Sequence, residues 1–69
     1  MQKYCEVIRN LREDHDLTQT KVAKALGISQ QYYSKYENGK NEIPLRHLER
    51  LAQFYQVSMD YLIHGTNEK

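Results

Sequence analysis

The sequence predicts an all-α fold, a compact five-helix bundle, on three observations. Apolar residues recur at the i, i+3, i+4 spacing of helix faces along almost the whole chain. Serine or threonine stands directly ahead of three of these periodic runs, at Thr18, Ser29 and Ser58, where helix N-caps belong. The chain has 69 residues and one cysteine, so no disulfide framework can staple it, and a helical bundle is one of the few folds that stands without staples at this length. A chain this short buries only about 60% of its unfolded surface, which predicts a thin stability margin.

The first helix is expected over Lys3 to Asp14, with Tyr4, Ile8 and Leu11 on one face and Cys5 as a packing residue. His15-Asp16 must end it without the glycine that best serves such a stop. Thr18 caps a second helix, Gln19 to Leu26, whose buried stripe is Val22, Ala23 and Leu26. Gly27 is placed to supply the left-handed residue that closes it. Ile28 tucks inward, and Ser29 caps a third helix, Gln30 to about Asn38, with Tyr33 and Tyr36 facing the core. Two short helices joined by a tight turn make residues 18–37 a helix-turn-helix. Asn38-Gly39-Lys40-Asn41 is a turn cluster, and Pro44 belongs to the loop or the first turn of a fourth helix, Leu45 to Tyr55. That helix buries Leu48, Leu51, Ala52 and Tyr55. Ser58 caps a fifth, which ends before Gly65, and residues 66–69 read as a frayed tail. All 69 residues are expected to form one domain.

Several function classes find no support. No run approaches the roughly 18 apolar residues of a membrane span, and no signal peptide opens the chain, so a soluble, cytoplasmic protein is expected. His15, His47 and His64 fall on different elements with no cysteine or acid at metal-ligand spacing, so no metal is expected; the helix dipole accounts for His15 and His64. The three glycines form no phosphate-cradling loop, and so small a chain has little room for a water-excluding pocket. No enzyme activity, cofactor or small-molecule ligand is expected. The net charge of +1 selects no partner, but its distribution is uneven. Residues 17–41 carry Lys21, Lys24, Lys35 and Lys40 against one acid, Glu37. A modest basic face of this kind suits phosphates, though many soluble helices carry one by chance.

With Tyr33 and Tyr36 turned inward, the third helix presents Gln30, Gln31, Ser34 and Lys35 outward. Glutamine pairs with N6 and N7 of adenine, and lysine donates to O6 and N7 of guanine. These are the side chains of a major-groove reader, displayed from the N-terminal half of a short helix. On composition alone an ordinary polar solvent face explains them equally well.

The run Leu17 to Lys40, with its Thr18-Gln19, Ala23, Leu26-Gly27-Ile28-Ser29 and Tyr36-Glu37-Asn38-Gly39 pattern, resembles the phage-repressor/Cro family of regulators, also called the xenobiotic-response-element type. The later Glu42-Ile43-Pro44-Leu45 and Leu51 to Ile63 stretches resemble that family's fourth and fifth helices, so the similarity spans about Tyr4 to Gly65. It implies a lambda-repressor-like DNA-binding domain, bacterial or phage-encoded, acting on double-stranded DNA. By that resemblance Gln30, Gln31, Ser34 and Lys35 face base edges, while Thr18, Gln19, Tyr32, Asn38, Lys40 and Asn41 hold the backbone, with Gln19 also bracing Gln30. It further implies that Arg12 pairs with Glu37; two exposed charges of little consequence are the alternative. The family usually has glycine where this chain has Asp16, which implies backbone strain there.

Proteins with this motif usually read two half-sites as dimers. A homodimer surface is expected from Phe54, Tyr55, Tyr61, Leu62 and Ile63; the same residues would alternatively close the core. The expected function is repression by a dimer occluding a palindromic or pseudopalindromic operator. The alternatives are the DNA-binding antitoxin of a toxin pair and a helical protein-interaction module without DNA binding.

Overall fold

Five helices account for the regular structure among the described residues, 3–65, of the computed structural model. They are α1 (Lys3–Asp14), α2 (Gln19–Leu26), α3 (Gln30–Glu37), α4 (Leu45–Tyr55) and α5 (Met59–His64). The tail expected at residues 66–69 lies outside them. No helix among the described residues is long and apolar enough to cross a membrane.

Three helices begin at hydroxyl caps. The side chains of Thr18, Ser29 and Ser58 accept hydrogen bonds from the backbone N–H of Lys21, Tyr32 and Tyr61 at 3.2, 3.1 and 3.0 Å. Each satisfies one of the amides that a helix start leaves unpaired. Gly27 ends α2 at φ +76°, and a Cβ there would meet nothing within 4 Å. Its glycine therefore answers the backbone angle and not crowding. Two side-chain-bearing residues also take left-handed corners, Asp16 at φ +56° after α1 and Gln56 at φ +58° after α4. α3 stops at Glu37, one residue short of the expected end, because Asn38 closes it as the C-cap with its N–H on Ser34 O. Pro44 stands just ahead of α4 as its N-cap residue, extended, where its missing N–H costs nothing.

α1 packs on α3 and α5, α2 on α3 and α4, and α4 also on α5. Their inner faces meet in one core that includes Ile8, Val22, Tyr33, Tyr36, Leu51 and Leu62, each at most 1% exposed. Burying an aliphatic side chain of this size contributes about 1.5–3 kcal/mol. Cys5 and Val7 are buried on α1, whereas Tyr4 is only partly so. The Tyr4 hydroxyl instead holds the α3–α4 loop, accepting from Ile43 N–H at 3.1 Å and donating to Asn41 O at 3.4 Å.

Candidate nucleic-acid interface

The outer edge of α3 is anchored from behind by a buried carboxylate. Glu37, at the last turn of α3, has a side chain 1% exposed. Arg12 of α1 donates Nε to its Oε2 at 2.8 Å and NH2 to its Oε1 at 3.2 Å. The third guanidinium arm, NH1, donates to Leu17 O at 3.0 Å and so fixes the turn into α2. Tyr33 O–H donates to Oε2 at 2.7 Å, and Gln19 Nε2 to Oε1 at 3.0 Å. Burial alone would push the Glu37 carboxyl up, but the donors from Arg12, Tyr33 and Gln19 outweigh it and hold it below the ordinary value of 4.5. The Tyr33 hydroxyl is pushed far up by burial and by its bond to the carboxylate. Tyr55, packed near this group, is pushed up to about 12, chiefly by burial.

The network continues to the surface. Gln30, exposed at the first position of α3, donates Nε2 to Gln19 Oε1 at 2.6 Å. Gln31 and Lys35 are exposed beside it, and Ser34 is partly buried, with Asn38 Nδ2 3.4 Å from its hydroxyl. Gln30, Gln31, Ser34 and Lys35 thus belong to one outward edge of α3, opposite Tyr33, Tyr36 and Glu37. Tyr32 is 46% exposed and meets Tyr36 edge-on, with ring centroids 5.5 Å apart.

The flanking residues surround this edge. Thr18, Asn38 and Lys40 are exposed, and Gln19 and Asn41 are partly buried. The backbone N–H groups of Lys40 and Asn41 both donate to Lys35 O, at 2.9 and 3.3 Å, which folds the loop back onto the end of α3. Of the five residues expected at a dimer surface, Tyr55 and Leu62 instead close the core, Tyr61 is partly buried, and Phe54 and Ile63 are 43% and 40% exposed.

Sequence reasoning missed one partner of α3. His47, in the first turn of α4, places Nδ1 3.1 Å from the Tyr36 hydroxyl. Its imidazole is held below the ordinary histidine range by burial and by the neighbouring Arg46 and Arg50 charges. Arg46 is exposed and close enough to Tyr36 to favour its phenolate electrostatically. The sole sequence signal for this corner was a basic pair directly after Pro44-Leu45.

A helix capped at Ser29, stiffened from behind by Arg12–Glu37 and edged with amides, a hydroxyl and a lysine can enter a groove and exchange paired hydrogen bonds. A helix-turn-helix family model matches residues 8–62. The chain is 38% identical over 65 residues to the uncharacterized regulator YobD of Bacillus subtilis, covering 94% of this chain and 58% of that protein. It is 39% identical over 56 residues to the cryptic phage CTXphi transcriptional repressor RstR of Vibrio cholerae, covering 81% and 50%. The P22 c2 repressor, solved in complex with a synthetic operator, superposes with a TM-score of 0.85 at 30% identity, over 96% of this chain and 100% of that one. The chain therefore belongs to the helix-turn-helix family of the phage-repressor, xenobiotic-response-element type. It spans between half and three-fifths of the length of these two curated relatives.

Proposed function

We propose that the protein is a sequence-specific regulator that binds double-stranded DNA through α3 and represses transcription as a dimer on a two-fold operator. One observation carries the reading. Gln30 is tied through Gln19 to a buried ion pair, so an exposed polar side chain is held in place with its outer atoms unpaired. A solvent face has no need of such bracing, whereas base reading depends on it. Gln30, Gln31, Ser34 and Lys35 read base edges, while Thr18, Gln19, Tyr32, Asn38, Lys40 and Asn41 hold phosphate and sugar. Arg46, exposed beside Tyr36, extends the positive edge. The phage repressor RstR among the relatives and the operator-bound P22 c2 structure support the same reading.

Dimerisation follows from size. One short helix spans only a few base pairs, and pairing two domains reads half-sites about one helical turn apart. The exposed Phe54 and Ile63, with Tyr61, supply the surface. Selection of bound duplexes from a random pool tests the whole reading. Enrichment of paired, inverted half-sites is expected, and no enriched sequence at low salt would overturn it. Sedimentation on an enriched duplex is expected to give two chains per site; one chain per site would overturn the dimer.

A further inference from the structure

We infer that Glu37 is a positioning residue for base reading: through Gln19 it fixes which end of the Gln30 carboxamide faces outward. The inference rests on the reading of α3 given above. It follows from a chemical asymmetry. An ionised carboxylate only accepts hydrogen bonds, and a primary amide has one accepting and one donating end. Glu37 Oε1 lies 3.0 Å from the Gln19 amide, so Gln19 must turn its Nε2 inward. Its Oε1 is then the end left for Gln30, 2.6 Å away, and only a donor can meet it. Gln30 must therefore spend one N–H on Gln19. Its carbonyl oxygen and its second N–H remain outside. One acceptor beside one donor matches N6 and N7 of adenine and mismatches the two acceptors of guanine. Burial and ionisation of Glu37 keep the polarity from reversing, since Arg12 and Tyr33 occupy the carboxylate as donors.

The relay can be inverted by one isosteric change. In Glu37→Gln the oxygen is required at the Oε2 position, where Arg12 Nε at 2.8 Å and Tyr33 O–H at 2.7 Å both donate. The new NH2 group then takes the Oε1 position, gives up the 3.2 Å bond from Arg12 NH2 and faces Gln19. Gln19 must turn its oxygen inward and its NH2 outward. Gln30 answers with its oxygen toward Gln19 and both N–H groups toward the groove. Two donors favour guanine. A compensating change restores the original order. In Glu37→Gln with Gln19→Glu, the carboxylate at position 19 accepts from both sides, and Gln30 returns its oxygen to the groove.

The test is duplex selection with four proteins, each first checked by circular dichroism and thermal melting. Wild type is expected to prefer adenine over guanine about tenfold at one position of each half-site. Glu37→Gln reverses that preference, and the double variant Glu37→Gln/Gln19→Glu returns it to adenine. Gln19→Ala, which leaves Arg12–Glu37 in place, stays folded with a melting temperature lowered by the loss of one donor to the buried carboxylate, and loses the preference. It also keeps the test decisive if Glu37→Gln does not fold. A merely structural Glu37 would lower stability without moving base identity. The same preferred base in Gln19→Ala as in wild type overturns the relay, as does an unchanged preference in a folded Glu37→Gln. A wild type that enriches no duplex overturns the DNA reading itself, a distinct outcome.

Discussion

Replacing Arg12 with alanine removes three hydrogen bonds at once, two to Glu37 and one to Leu17 O. The side chains of the pair are 15% and 1% exposed, so water cannot replace the lost guanidinium at Glu37. Tyr33 and Gln19 still donate to the carboxylate, but neither carries a countercharge. Breaking one side of a buried pair costs about 3–5 kcal/mol. Domains hold about 0.05–0.15 kcal/mol per residue, so the whole stability of this chain is roughly 3–10 kcal/mol. Arg12→Ala is therefore expected to lower the melting temperature by at least about 12 °C, at 4–8 °C per kcal/mol, or to leave the chain unfolded. Urea titration followed at 222 nm measures the loss. The deficit should also depend on pH. Without Arg12, burial raises the Glu37 pKa above its unfolded value, so the variant gains stability as pH falls and the gap to wild type narrows below about pH 5. A variant melting within about 3 °C of wild type at pH 7 would refute the claim that Glu37 is a buried charge held by Arg12.

Acidification of the wild type is expected to proceed in two steps. His47 has a depressed pKa, so its contribution is present above 6.5 and declines as pH falls below that; Glu37 follows below 4.5. Melting curves from pH 8 to 3 check the order, and His47→Phe should erase the first step alone. Asp16→Gly and Gln56→Gly each remove a left-handed side-chain-bearing corner and should leave stability unchanged or raise it by up to about 1 kcal/mol, read by urea titration. Ser29→Ala should cost about 1 kcal/mol by loss of the α3 cap, visible as a lower melting temperature. Lys40→Ala should weaken binding to all duplexes alike and reduce the salt slope of the binding constant by about one, measured by anisotropy across ionic strength.

The helices were legible in the sequence wherever local chemistry marked them. Thr18, Ser29 and Ser58 announce helix starts, and Gly27 announces the left-handed residue that closes α2. The inward facing of Tyr33 and Tyr36 agrees with their i, i+3 spacing, although Tyr32 and Tyr36 at i, i+4 fit helical period as well and Tyr32 is 46% exposed. What stayed hidden depends on contacts distant in sequence. Gln56 takes a corner for which glutamine has no preference, where its backbone N–H donates to Gln53 O and that of Val57 to Ala52 O to close α4. The Tyr4 hydroxyl reaches 39 residues along the chain to Ile43, and nothing local to Tyr4 signals a partner. The resemblance to repressors pointed to Gln19 as a brace for Gln30, but its second bond, to Glu37, emerges only when α1, α2 and α3 are packed together.

The two glutamines that open α3 differ in freedom as well as in position. Gln31 is exposed and makes no side-chain hydrogen bond among the described residues, so no such bond fixes its rotamer before a partner arrives. Gln30 is already confined by its 2.6 Å bond to Gln19. Immobilising a glutamine side chain costs about 1.5–2 kcal/mol of entropy. For Gln30 much of that loss is incurred during folding, before any partner arrives, whereas Gln31 must incur it on contact. If Gln30 and Gln31 read bases as proposed, warming should therefore erode the discrimination made by Gln31 sooner than that made by Gln30, and the two adjacent positions would blur at different temperatures.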